Sequence, residues 1–117
     1  MGMPLEVERK AVGEGWQSLI DEADQVLRDI VGADYELLQI KEKFGGLRFY
    51  WMAPKGTSQD KFRRAAEKVH EIEDRSTSIC EACGAPGEQF TVGSWVKTEC
   101  PSCYQRRLDS YTSRKGA

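Results

Sequence analysis

The spacing of apolar residues changes three times along the chain, and each change marks an element. From Trp16 they fall at Leu19, Ile20, Ala23, Val26, Leu27, Ile30 and Val31. That is the i, i+3, i+4, i+7 recurrence of an amphipathic helix, and Gly32 supplies its stop. Asp21, Glu22, Asp24 and Asp29 fill the outer face of this helix. Such a face reads either as ordinary solvated surface or as an acidic surface for a basic partner.

The stretch YELLQIKEKFGGLRFYWM shifts to period two: Leu38 and Ile40 alternate with Gln39 and Lys41, and Leu47, Phe49 and Trp51 alternate with Arg48, Tyr50 and Met52. Two β-rich runs about Gly45-Gly46 predict a β-hairpin, because glycine supplies the positive φ that a tight turn requires. Large side chains then lie on both faces of the second strand. Lys41, Lys43, Arg48, Phe49, Tyr50 and Trp51 form a candidate partner-binding surface, the three cations being placed near the turn to meet phosphate or acidic groups. An open edge on this hairpin would also be available to a second copy of the chain, so the oligomeric state is left open.

Pro54, Gly56 and Thr57-Ser58 end the second strand, and Thr57 with Asp60 predicts a capping box at the start of a second helix. Phe62, Ala65, Ala66, Val69 and Ile72 trace its buried stripe, with charges of both signs outside. The pattern predicts an α+β fold: a helix–β-hairpin–helix body with both helices on one face of the hairpin. Residues 1–14 are expected as a flexible lead-in, 15–75 as the body, and 76–117 as a small tail with a short terminal helix, the whole packed as one compact unit.

The chemistry lies in that tail. Cys80 and Cys83 form one C-x2-C pair and Cys100 and Cys103 another, with 16 residues between them. Gln89-Phe90-Thr91-Val92, Gly93-Ser94 and Trp95-Val96-Lys97-Thr98 read as a second hairpin that returns one pair to the other. Four soft thiolates at this spacing point to one structural, tetrahedral Zn2+ in a zinc ribbon. A thioredoxin-like pair needs only one C-x-x-C, iron–sulfur spacings differ, and a catalytic zinc leaves one position open. His70-Glu71-Ile72-Glu73 does not match the H-x-E of zinc deaminases, and Ile79 stands where their proline precedes the first cysteine. With no P-loop, dinucleotide fingerprint or nucleophile elbow, the sequence is read as non-enzymatic.

Composition narrows the class further. A chain of 117 residues is one domain's worth, which excludes a multidomain enzyme. The net charge of -2 argues against binding nucleic acid by bulk charge, but it hides an uneven distribution: -5 over residues 1–35, +1 over 36–74 and +2 over 75–117. Trp95, Lys97, Arg106 and Arg107 are the candidate nucleic-acid contacts in the basic tail, which Arg114 and Lys115 extend. Trp95 would either stack on a base or pack over the knuckles, and packing is the favoured expectation. The charged first ten residues contain no export signal, no apolar run spans a bilayer, and unpaired thiols fit a cytoplasmic protein.

The string KEKFGGLRFY, with Gly15-Trp16 before it and the C-E-x-C-G knuckle after it, resembles a family of small proteins encoded by phages, prophages and bacterial genomes. The resemblance covers about residues 15 to 105. It implies the same order of elements and Cys80, Cys83, Cys100 and Cys103 as metal ligands, and it brings no activity with it. The implied setting is one in which small proteins act by binding host factors, including defence machinery. A protein partner is therefore the first functional expectation, and a nucleic-acid-binding accessory role is the alternative.

Overall fold

The computed structural model describes residues 2–116, with side chains described for 2–91 and 93–110. The element order is α1 (Leu5–Glu8), α2 (Gln17–Ile30), β1 (Glu36–Lys43), β2 (Gly46–Met52), α3 (Gln59–Ser76), β3 (Glu88–Val92), β4 (Trp95–Glu99) and α4 (Pro101–Gly116). Two separate antiparallel hairpins, β1–β2 and β3–β4, make this an α+β chain with a four-cysteine ribbon near its C-terminus.

The body is built around one apolar core. Trp16, Leu19, Ile20, Ala23 and Leu27 from the α2 segment meet Leu37, Ile40, Leu47 and Phe49 from the hairpin and Ala65, Val69 and Ile72 from α3. The helical and alternating patterns thus converge on a shared interior, as the period changes require.

The hairpin departs from its expected phase in two places. Leu37 pairs with Trp51 but Gln39 pairs with Tyr50, so Leu38 is an extra residue in β1. This bulge resets the alternation. Leu37 and Ile40 are buried, whereas Leu38, expected on the core face with Ile40, is 44% exposed. The turn is centred on Phe44-Gly45 rather than Gly45-Gly46, with φ of 54° and 80° at its two central residues. Two positive φ values are what a two-residue type I′ turn demands. Gly46 instead opens β2 and is buried.

Both hairpin edges are partly covered from within, where the sequence left an edge open. On the β2 side, Ser76 Oγ accepts from Leu47 N at 2.8 Å and Glu73 Oε2 accepts from Phe49 N at 2.8 Å. On the β1 side, Glu8 Oε1 accepts from Ile40 N at 3.3 Å, and Met3 N donates to Leu37 O at 2.7 Å. Side-chain acceptors on flanking helices therefore take three of the donors that an incoming strand would use.

Three further expectations are corrected. Residues 1–14 contain α1 and a 3-10 turn at Arg9–Ala11, folded back on β1 through the Met3 and Glu8 bonds, rather than a loose lead-in. The α3 N-cap is Ser58, whose hydroxyl accepts from Lys61 N at 3.2 Å, while Thr57 Oγ1 donates to Pro54 O and Asp60 pairs with Arg63. The terminal helix is not short: α4 has 16 residues. The chain is accordingly elongated, 58 × 23 × 23 Å, since a helix of that length alone spans about 24 Å at 1.5 Å per residue.

No helix among the described residues is long and apolar enough to cross a membrane.

Candidate metal centre

The four cysteines come together as their spacing predicts. Cys80 and Cys83 flank a tight turn closed by Gly84 N donating to Cys80 O at 2.9 Å, with Gly84 at φ 85°. Antiparallel pairing of β3 with β4 returns the chain so that Cys100 follows β4 directly. Pro101 opens α4, where a missing N–H costs nothing, and Cys103 falls in its first turn. The start of α4 also places a positive dipole end beside the sulfurs.

The ligand atoms all lie within 4.8 Å of one another, and Cys83 Sγ and Cys100 Sγ are 3.7 Å apart. A disulfide requires about 2.05 Å, and all four cysteines are free. A tetrahedral ion with bonds of about 2.3 Å would separate its sulfurs by about 3.8 Å, so the spacing fits a metal ion. Cys80, Cys100 and Cys103 are buried and Cys83 is exposed.

The electrostatics point the same way. Burial pushes the Cys80 thiol up, but hydrogen bonds from the backbone of Cys100, Cys83 and Ala82 outweigh it and bring it down to about 7. Sulfur–sulfur hydrogen bonds with Cys100 and Cys83, aided by burial, push Cys103 up to about 12. Cys80 is thus eased towards its thiolate while Cys103 resists ionisation, a conflict set chiefly by the hydrogen bonds that Cys103 shares with Cys100 and Cys83. A divalent cation relieves that conflict.

Around the cysteines there is little else to hold the ribbon. Ala85 is the partly buried hydrophobic residue packed on the three buried cysteines. Phe90 and Tyr104 stack with ring centroids 3.9 Å apart. Trp95, expected to pack over the knuckles, is 57% exposed, with Lys97 Nζ and the Arg107 guanidinium over its ring at 5.6 and 6.0 Å.

What fixes the ribbon to the body is a junction that the sequence did not reveal. Glu81, between the first two cysteines, is buried. Its Oε2 accepts from Gly13 N at 3.1 Å, its Oε1 pairs with Lys97 Nζ at 3.0 Å, and its carbonyl accepts from Gly15 N at 2.7 Å. Trp16 Nε1 donates to Ile79 O at 2.8 Å, immediately before the first knuckle. A Cβ on Gly15 would lie 1.9 Å from Cys80 O and 2.4 Å from Gly84 N, so backbone meets backbone here and only glycine fits.

The tip of the first hairpin docks on the same ribbon. Gln89 Nε2 donates to Phe44 O at 3.2 Å, and the buried Thr98 hydroxyl donates to Gly45 O. A Cβ on Gly45 would come within 3.0 Å of Gln89, Thr98 and Val96 side-chain atoms. Gly15-Trp16, the KEKFGG turn and the C-E-x-C-G knuckle are thus three parts of one contact. No signal in the spacing marks Glu81 or Thr98, because their partners are distant in sequence.

The other candidate residues divide by orientation and pairing. Phe49 is buried in the core, which removes it from any contact surface, and Trp51 is half-buried against Phe62 at 5.3 Å between rings. Tyr50 faces outward with Arg48 and Lys41, and Lys41 Nζ sits 5.8 Å from its ring centroid. Lys43 is exposed near the exposed Phe44 ring. Lys97 is engaged by Glu81 and Arg107 by Glu99 at 2.8 Å, whereas Arg106 is exposed. The side chains of Arg114 and Lys115 lie outside the described residues. Comparison with known proteins gives no family for this chain: no family model, no curated protein and no solved structure matches it.

Proposed function

We propose that this is a non-enzymatic zinc protein of phage or mobile-element type that acts by binding a host protein, as an inhibitor or modulator of host or defence machinery. Zinc is the metal this reading assigns to the cluster, since four thiolates suit a tetrahedral d10 ion and leave no open position for substrate. The phage setting comes from the sequence resemblance, and the protein works in the cytoplasm, where its thiols stay reduced.

The observation that carries the reading is the outer face of the β1–β2 hairpin. Tyr50 is 38% and Met52 54% exposed there, beside the bulged Leu38, which is 44% exposed. Exposed apolar groups on a rigid, edge-capped hairpin suit a protein contact.

Immobilised protein should contain one zinc per chain and should retain a specific polypeptide from a host lysate. The variant Tyr50→Glu/Met52→Lys, with zinc content unchanged, should lose that capture. Equal capture by both forms would reject the reading.

A nucleic-acid reading is favoured by one observation, the exposed Trp95 ring flanked by Lys97 and Arg107. It ranks second because both cations already have carboxylate partners in Glu81 and Glu99. Binding of a labelled oligonucleotide that weakens steeply with salt and is lost in Trp95→Ala would promote it.

A further inference from the structure

The molecule pairs its charges unevenly. The acidic face of α2 is engaged internally: Asp21 with Arg9 at 2.6 Å, Glu22 with Arg75 at 2.5 Å and Asp24 with Arg28 at 3.0 Å. Asp29 accepts a hydrogen bond from Gln25. That face therefore has little charge left to offer a basic partner.

The outer face of the first hairpin is the opposite case. Lys41 and Arg48 sit directly across from each other in the strand pairing, so their side chains share one face. Lys43 follows on the same face two residues after Lys41. None of the three forms an ion pair among the described residues, in contrast to Lys97 and Arg107 on the ribbon. Like charges directly opposite in a sheet repel, and among the described residues no carboxylate forms an ion pair with them.

Apolar groups continue the stripe. Tyr50, paired with Gln39, and Met52, paired with Glu36, follow Arg48 at alternate positions of β2. Leu38 adds exposed surface beside Gln39. The face thus runs from three unpaired cations near the turn to exposed Tyr50 and Met52 about 7 to 14 Å away, at roughly 6.8 Å per two residues of strand.

We propose that this face docks an acidic segment of the protein partner, with a carboxylate seated between Lys41 and Arg48 and an apolar side chain two to four residues away lying on Tyr50 and Met52. The proposal rests on the protein-partner reading and names the chemistry of its ligand. One carboxylate has two oxygens and can accept from both cations at once, removing their repulsion on binding. A single-stranded nucleic acid fits less well: the stripe ends in the Met52 thioether and the Leu38 side chain beside the acidic Glu36, chemistry that suits an apolar side chain better than a phosphate backbone.

A displayed library of random 12-residue peptides, selected on the intact zinc-loaded protein, tests this. Enriched peptides should be acidic with an apolar residue close by. The best of them should bind Lys41→Glu/Arg48→Glu about tenfold or more weakly, and changing its acidic residues to lysine should restore binding to that variant. Lys41→Gln/Arg48→Gln, with zinc content and far-ultraviolet circular dichroism unchanged, should show an intermediate loss.

Enriched peptides without acidic bias, or binding unaffected by either double variant, would overturn the proposal. So would tighter binding of a labelled dT20 oligonucleotide that needs Lys41 and Arg48. Lysate capture separates the two readings. If Tyr50→Glu/Met52→Lys abolishes capture but Lys41→Glu/Arg48→Glu does not, the protein partner stands and the acidic segment falls. If neither variant changes capture, both fall.

Discussion

The body and the ribbon of this chain are held by different forces. The body closes over Trp16, Ile20, Leu27, Ile40, Leu47 and Phe49, an interior of ordinary apolar burial. The ribbon has three buried cysteines, Ala85 against them, and a stacked Phe90–Tyr104 pair. Its largest side chain, Trp95, faces solvent. A segment of this size with so little apolar interior needs a staple, and the four sulfurs are the available one. The body, by contrast, has enough core to keep its helices without the metal.

The difference matters because the two regions are joined through the weaker one. Gly13, Gly15 and Trp16 contact Ile79 and Glu81, and the Phe44-Gly45 turn contacts Gln89 and Thr98. A metal ion held by the four cysteines would therefore fix the knuckle that receives both the start of α2 and the tip of the first hairpin. Its loss should loosen the junction first and the body core last.

The largest break comes from removing a ligand. Cys100→Ser should abolish stoichiometric metal binding and unfold residues 80–99, since structural zinc contributes apparent binding energy on the order of 10 to 16 kcal/mol. Metal analysis and two-dimensional NMR check this, and a ribbon that keeps its dispersed resonances would contradict it. Trp16→Ala strikes the body instead. It leaves a large cavity and an unpaired Ile79 carbonyl, and chemical denaturation should show a loss of about 3 to 5 kcal/mol.

Glu81→Gln sharpens the comparison at the seam. It removes the buried charge paired with Lys97 but keeps an acceptor for Gly13 N, so a loss of about 1 to 3 kcal/mol is expected with metal stoichiometry intact. The smallest effect belongs to the exposed hairpin face. Tyr50→Glu should change stability by no more than about 0.5 kcal/mol in the same assay.

Much of this arrangement is legible in the sequence, for identifiable reasons. The α2 and α3 stripes follow from helical spacing, and the four-cysteine cluster follows from two matched C-x2-C pairs. Local rules failed where a distant partner decides. The bulge at Leu38 shifts the phase of β1 so that Leu37 rather than Leu38 pairs with Trp51 and joins the core. Thr57 and Ser58 are equally good caps by residue type, and only the backbone places Ser58 over Lys61 N. Glu73 and Ser76 look like ordinary residues of an exposed helix, yet they close the β2 edge. Glu81 looks like a solvated residue within a knuckle until Gly13 and Lys97 are seen beside it.

The central claim, that the metal centre holds the junction while the body holds itself, is tested most directly by hydrogen exchange at single amides before and after chelation. With metal bound, the Gly13 and Gly15 amides, which donate to Glu81, should be protected together with the α2 core. After chelation, protection should vanish at Gly13, Gly15 and across residues 80–99 while it persists from Leu19 to Leu27 and at Phe49. Protection of Gly13 and Gly15 that survives metal removal, or a collapse of the whole chain at once, would contradict the account.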